Sequence, residues 1–301
     1  MAGICEGRVV IVTGAGRGLG RSHALAFARE GAKVVVNDLG TSLHGEGSDL
    51  SPAQKVVEEI RALGGEAIAN GDDVADWEGA GRLVSAAIEA FGGLDVVVNN
   101  AGFVRDRMFV NQTVEDWDAV IRVHLRGHFC VTSHAVRYWR ERHKAGHKVD
   151  ARIINTSSGA GLQGSVGQAA YSAAKGGIAS LTLVQAAELG RYGITANALA
   201  PAARTRMTEQ VFADKMKKPA EGFDVQDPDN ISPTVVWLGS RESAHVTGCV
   251  FELEGGRITI CTGWNEGPTV DKGARWEPSE LGPVITDLLA RRPPQKKVWG
   301  T

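Results

Sequence analysis

The chain has 301 residues, is 43% hydrophobic and 23% charged, and carries a formal net charge of -2. That composition suits a globular protein with room for a well-buried core, in one large or two small domains. It points to no nucleic-acid or phospholipid surface as partner, and no segment approaches the ~20 apolar residues of a membrane span. The cysteines (Cys5, Cys130, Cys249 and Cys261) show neither CxxC spacing nor a disulfide framework. A reducing compartment, and so a cytoplasmic location, is expected. The N-terminus runs straight into Arg8-Val9-Val10-Ile11-Val12, so no leader is expected, and Val298-Trp299-Gly300-Thr301 is not a peroxisomal or endoplasmic-reticulum retention tail.

Residues 8–12 are a β-branched run suited to a buried parallel strand. Thr13-Gly14-Ala15-Gly16-Arg17-Gly18-Leu19-Gly20 follows at once. A helical pattern then carries Ala24, Phe27 and Ala28 to a stop at Gly31. Residues 33–37 read as a second strand closed by Asp38. Glycines in such a turn let the backbone approach a pyrophosphate, and the helix N-terminus offers N–H groups to its charge. The same glycines would also serve tight helix–sheet packing. A carboxylate at the second strand end suits ribose hydroxyls and repels a 2′-phosphate, and Leu39-Gly40 offers that phosphate no cation. NAD is therefore expected over NADP, with a turn-capping role for Asp38 as the alternative.

Thr41 to Leu50 is a long Gly/Ser-rich loop. Ser51-Pro52 starts a helix whose apolar stripe is Val56, Val57, Ile60 and Leu63. Residues 66–70 are a third strand, with Asp72-Asp73-Val74 at its end; a helix over 77–91 stops at Gly92-Gly93. Residues 94–98 are a fourth strand, followed by Asn99-Asn100-Ala101-Gly102. Residues 113–143 read as helical and 151–156 as a fifth strand ending at Ser157-Ser158, followed by a glycine-rich bend over 159–167. A helix then runs to about Tyr192, and a sixth strand over 194–199 is broken by Pro201. Residues 202–230 suggest a mobile lid. A short helix starts at Ser232-Pro233, and 248–253 is expected to be the last strand. The alternation predicts an α/β, Rossmann-type, doubly wound parallel sheet of about seven strands with helices on both faces. The predicted division is a dinucleotide-binding catalytic domain over 1–256 and an extension over 257–301. That extension, with Trp264, Trp276 and Trp299, should pack on the body or on a neighbouring subunit.

The helix after the glycine-rich bend carries Tyr171-Ser172-Ala173-Ala174-Lys175. The Tyr–Lys spacing puts both side chains on one helical face. A phenol ionises near pH ~10, and an adjacent ammonium favours the phenolate. Bringing it toward ~7 takes roughly 4 kcal/mol of differential interaction. Alone, so short a motif more often marks an ordinary surface helix.

Taken together, Thr13-Gly14-xxx-Gly18-x-Gly20, Asp73-Val74, Asn99-Asn100-Ala101-Gly102, Ser158, and Tyr171 with Lys175 resemble the short-chain dehydrogenase/reductase family over residues 7–255. The family usually has Asn where His124 stands in His124-Leu125-Arg126-Gly127, and Pro-Gly where Pro201-Ala202 stands. These departures and the long loop after Asp38 resemble the (3R)-hydroxyacyl-CoA dehydrogenase units of peroxisomal multifunctional enzymes and their bacterial single-domain relatives. The resemblance implies an NAD-dependent oxidoreductase acting on a secondary alcohol or ketone, with a 3-hydroxyacyl-CoA or steroid-type substrate. It implies Tyr171 as general base, Ser158 as holder of the substrate oxygen, and Lys175 as modulator of Tyr171 that also bonds the nicotinamide ribose. His124 is either a proton relay, visible in the pH–rate profile, or a buried prop. Gly14, Gly18, Leu19 and Gly20, with Arg17, would cradle the diphosphate. Asp38 and Leu39 would meet the adenosine ribose, and Asp73 and Val74 the adenine. Asn100, Ala101 and Gly102 would pass beneath the cofactor, and Pro201 and Thr205 would lie near the nicotinamide. No metal is expected. A homodimer or homotetramer is implied, paired through the helices ending near His143 and Tyr192. The rivals are a 3-oxoacyl carrier-protein reductase, a hydroxysteroid dehydrogenase and a non-catalytic dinucleotide sensor.

Overall fold

The computed structural model describes residues 3–41, 47, 49–205, 208, 214, 216–294, 296 and 298. Eight strands form one sheet in the order β3-β2-β1-β4-β5-β6-β7-β8. They are β1 (Val9–Thr13), β2 (Lys33–Asn37), β3 (Glu66–Asn70), β4 (Val96–Asn99), β5 (Ala151–Thr156), β6 (Ile194–Ala202), β7 (Val250–Glu254) and β8 (Arg257–Cys261). All neighbours pair in parallel except β7 with β8. Between them run α1 (Gly18–Arg29), α2 (Ser51–Ala62), α3 (Trp77–Phe91), α4 (Val114–Ile121), α5 (Gly127–Lys144), α6 (Gly159–Gln163), α7 (Ala169–Leu189), α8 (Ser232–Gly239) and α9 (Leu281–Arg291). Among these helices none is long and apolar enough to cross a membrane.

The apolar strand runs are continuous because both sheet faces are covered. Val10, Val12, Val34, Val36 and Val98 pack with Phe27, Ile60 and Leu238 on one face. Val9, Ile11, Val35 and Val97 pack with Leu83, Val131 and Trp139 on the other. One strand thus feeds two cores through its period-two alternation. The order reverses direction between β1 and β4, and an open α/β sheet offers its ligand crevice at that point.

Four expectations are corrected. The helical stretch over 113–143 is two α-helices joined by a π-helical turn, Arg122–Arg126, which carries His124. Such turns are rare and occur mostly as single turns inside α-helices, frequently at functional sites. The bend over 159–167 begins as the short helix α6, capped by Ser158. Pro201 does not break β6; it pairs in register with Leu253 near the strand end, where a missing N–H costs little. The strand over 248–253 is not the last, since β8 returns antiparallel beside β7 and carries the sheet past residue 256.

Beyond β8 the extension is largely exposed. Helix α9 has no buried residue and Trp264 is fully exposed, so packing on this chain's own body is slight there. Trp276 stacks beneath Lys272, and Lys296 pairs with Glu252 of β7. Trp299 lies outside the described residues, as do parts of the expected lid and of the loop after Asp38. The described lid residues are tethered, because Arg204 makes two 2.8 Å bonds to Asp224.

At the opposite end of the sheet from the crevice, Arg8 and Arg152 are both about 1% exposed. Asp150 lies 3.1 Å from Arg8 and 2.6 Å from Arg152. Burial alone would raise the Asp150 carboxyl, but Arg152 and Arg8 outweigh it and hold the group below its usual range. Asp150→Ala should cost about 3 kcal/mol, because two buried cations lose their carboxylate, and calorimetry should record a lower Tm. In the unmodified protein this contribution is present above the ordinary carboxylate pKa and is lost as pH falls through the depressed one.

Candidate active site

The crevice is built first from the turn after β1. Gly14 and Gly18 adopt positive φ, 63° and 52°. A Cβ on Gly14 would stand 2.8 Å from the Ala101 Cα, and one on Gly20 would stand 2.2 Å from the Gly14 carbonyl oxygen. Only glycine lets this turn fold onto β4 and onto its own helix. Helix α1 begins without a side-chain cap and without an acid in its first turn, so its N-terminal N–H groups stay available to an anion. A Cβ on Gly18 would meet nothing nearer than Thr205 at 3.8 Å, which leaves the crevice open there.

Thr13 and Asn100 stitch the two central strand ends together. The Thr13 hydroxyl accepts from the backbone N–H of Asn100 at 2.9 Å and of Ala101 at 3.0 Å. The Asn100 amide donates to the carbonyls of Thr13 at 2.9 Å and Gly14 at 3.2 Å. Asn100 therefore shapes the crevice by holding the glycine turn.

Asp38 is fixed by the backbone. One carboxylate oxygen accepts from the Gly16 N–H and the other from the Gly40 N–H, each at 2.7 Å. The turn-capping role weighed from sequence is present, and a carboxylate oxygen with a second lone pair still faces the crevice mouth. Gly16, absent from the predicted set, is required as well, since a Cβ there would stand 2.8 Å from that carboxylate. Asp73 pairs with Arg122 at 2.7 Å and accepts from the Ala75 N–H at 2.8 Å. Arg122 sits on the π-helical turn, and no sequence signal tied it to Asp73.

One crevice gathers Gly14, Arg17, Gly18, Leu19, Gly20, Asp38, Leu39, Asp73, Val74, Asn100, Ala101, Gly102 and Thr205. Pro201 is not in that lining. Thr205 is held by Thr208, whose hydroxyl accepts from the Thr205 N–H at 2.8 Å. The donor set fits a dinucleotide: free helix N–H groups and a Cβ-free turn for a diphosphate, and an anchored carboxylate for ribose hydroxyls.

Ser158, Tyr171 and Lys175 meet beside this crevice. Lys175 is buried, and its Nζ donates to the Thr156 carbonyl at 2.6 Å. It lies 5.6 Å from the Tyr171 ring centroid. Burial pulls the Lys175 pKa down to about 7. Burial likewise raises the Tyr171 phenol above its usual value, more than its hydrogen bond with Ser158 lowers it. The expected lowering by Lys175 is thus not what the protein's own groups achieve; desolvation dominates.

His124 is buried, with its ring edge-on to Tyr171 at 5.2 Å between centroids. With Nε2 taken as protonated, it donates to the Phe103 carbonyl at 2.7 Å, while Nδ1 has no partner. Burial, reinforced by the Lys175 charge, takes its pKa down to about 3. A neutral His124 gives no limb in a pH–rate profile near neutrality, so the titration expected of a relay falls outside the working range. Gly102 is dictated by this ring, because a Cβ there would stand 2.0 Å from His124 Cε1.

The family model for short chain dehydrogenases matches residues 8–216. A hydroxyacyl-CoA dehydrogenase of Mycobacterium tuberculosis is 44% identical, over 98% of this chain and 93% of that protein. The mouse peroxisomal multifunctional enzyme type 2 is 47% identical over 84% of this chain but only 32% of its own length. The crystal structure of a short chain dehydrogenase from Mycobacterium avium superposes with a TM-score of 0.89 at 60% identity, covering 99% of this chain and all of that one. The family works with NAD(P) and oxidises or reduces at CH–OH carbons. On these matches the chain belongs to the short-chain dehydrogenase family and is an oxidoreductase of hydroxyl and ketone substrates.

Proposed function

We propose that the chain is an NAD-dependent dehydrogenase of a 3-hydroxyacyl-CoA or steroid-type alcohol, with Tyr171 as its acid–base group. The observation that carries this reading is the convergence of Ser158, Tyr171 and Lys175 beside a crevice lined by an anchored Asp38. The names of the mycobacterial and mouse relatives support the acyl-CoA class.

Bound NAD would supply the hydride acceptor and a cationic ring close to Tyr171. In the oxidative direction Tyr171 as phenolate takes the proton of the substrate hydroxyl. The Ser158 hydroxyl donates to the substrate oxygen and steadies the charge developing on it. Lys175 adds positive charge below about pH 7 and anchors the Tyr171 helix to the end of β5. His124, neutral, props the 103–107 segment and offers a lone pair at Nδ1. In the reductive direction Tyr171 as phenol returns the proton to the carbonyl oxygen.

The preference for NAD rests on Asp38. A 2′-phosphate would meet that carboxylate, and Arg122 of the crevice lining is paired with Asp73. This weighs against the 3-oxoacyl carrier-protein reductase reading. Assembly as a homodimer or homotetramer is supported by exposed apolar side chains on the two helices named for pairing, Phe129 on α5 and Leu183 and Val184 on α7. A cytoplasmic setting suits four free cysteines.

Tyr171→Phe should keep NAD binding, followed by fluorescence titration, while turnover on a panel of 3-hydroxyacyl-CoA and hydroxysteroid substrates falls roughly 10²–10⁴-fold. Near-normal turnover would remove Tyr171 from the chemistry. Comparing kcat/KM with NAD and with NADP should favour NAD, and Asp38→Ala should narrow the gap; an NADP preference in the unmodified enzyme would reverse the cofactor assignment.

A further inference from the structure

The segment after β4 is clamped onto the start of the Tyr171 helix. Its first residue, Phe103, is held by His124, whose protonated Nε2 donates to the Phe103 carbonyl at 2.7 Å. Further along, Asp116 of α4 gathers two guanidinium groups, Arg107 at 2.6 Å and Arg105 at 3.4 Å. Asp116 is nearly buried, and Thr113 caps the turn that presents it. Between the two arginines the backbone crosses to the other side of the cleft. The Arg107 N–H donates to the Gly167 carbonyl at 2.8 Å, and the Gln168 amide donates to the Asp106 carboxylate at 2.9 Å. Gln168 is the residue from which α7 starts, one helical turn before Tyr171.

Asp106 is thereby fixed at the start of the Tyr171 helix, one turn from Tyr171, and the ion pairs of Arg105 and Arg107 are with Asp116. Among the described residues, the groups facing Tyr171 come from four elements. Helix α7 itself supplies Lys175, the π-helical turn supplies the neutral His124, the end of β5 supplies Ser158, and the clamped segment supplies Asp106. Arg105 and Arg107 are both turned to Asp116 of α4.

We propose that Asp106 is a positioning residue for Tyr171: locked in place by the Asp116 clamp and by Gln168, its negative charge sets the pH at which Tyr171 can act as a base. This rests on the acid–base reading of Tyr171 given above. A carboxylate close to a phenol opposes phenolate formation, and the Asp106 charge does act on Tyr171 in that direction. Asp106 is exposed as a residue, yet partial desolvation pushes its carboxyl upward, more than the bond from Gln168 pulls it down. No covalent or redox step is added to the reaction.

Asp106→Asn separates charge from geometry, because its amide oxygen still accepts from Gln168. In the oxidative direction kcat/KM rises with pH as Tyr171 ionises. In Asp106→Asn that rising limb should move to lower pH, so that kcat/KM measured below the original midpoint increases roughly threefold or more. Should that variant not fold, Asp106→Ser removes the same charge. Asp116→Asn leaves the Asp106 charge but loosens the clamp, so the limb should move in the same direction by a smaller step while NAD affinity by fluorescence titration holds. A limb that stays put, or moves to higher pH, on neutralising Asp106 overturns the proposal, as does a limb that moves to higher pH in Asp116→Asn. Tyr171→Phe keeps the two readings apart. If it turns over normally, the acid–base assignment itself fails. If it is inactive while the Asp106→Asn limb is unmoved, only the role of Asp106 falls.

Discussion

Lys175 has almost no surface, and its amine is spent on the Thr156 carbonyl 2.6 Å away. That bond welds the Tyr171 helix to the end of the fifth strand. The Ser157 hydroxyl reinforces it by donating to the Lys175 carbonyl at 2.8 Å. Gly161 lets the neighbouring short helix approach, since a Cβ there would stand 2.5 Å from the Gly176 nitrogen. Strand end, capping serine and phenol are thus brought into one register by a lysine whose pKa burial has pulled down to about 7. The site is assembled by packing first, and its electrostatics follow from how dry that packing makes it.

Dryness has a consequence for the chemistry. A water-excluded phenol is harder to ionise, and here the Ser158 bond does not compensate for desolvation. The chain alone therefore keeps Tyr171 protonated. On the proposed acid–base reading, positive charge brought into the adjoining crevice would favour the phenolate. The same burial pulls the His124 pKa down to about 3, and its neutral ring is tied to the Phe103 carbonyl.

The dinucleotide crevice depends on a different kind of constraint, close backbone approach. Gly14, Gly16 and Gly20 are each blocked from carrying a side chain by a neighbour under 3 Å away. Thr13 and Asn100 then lock the turn to the fourth strand. Asp38 contributes twice, as a brace for the Gly16 and Gly40 amides and as the charge facing the crevice mouth. A substitution there would loosen the turn as well as change the charge.

Local pattern was enough for most of the sheet, because buried parallel strands read as unbroken apolar runs and their helices as amphipathic stripes bounded by glycine. It was enough for the glycine turn and the Tyr–Lys pair, since those are short-range spacings along one element. What it could not give were relations between elements. The π-helical turn that aims His124 at Phe103 depends on contacts across the fold, as does the pairing of Asp73 with Arg122. The eighth strand, Arg257–Cys261, is partly polar and exposed, so its pattern carried little, and it exists because the edge of the seventh strand offers it partners. The clamp of Arg105 and Arg107 on Asp116 likewise has no signature along the chain. Sequence alone determined most of the elements, the eighth strand and the π-helical turn apart, and which residue types stand at the strand tips, because those follow from periodicity and backbone conformation. Only the tertiary structure decided which of those side chains touch, how dry they are and therefore which protonation state each holds, because desolvation and charge pairing belong to neighbours that are distant in the chain.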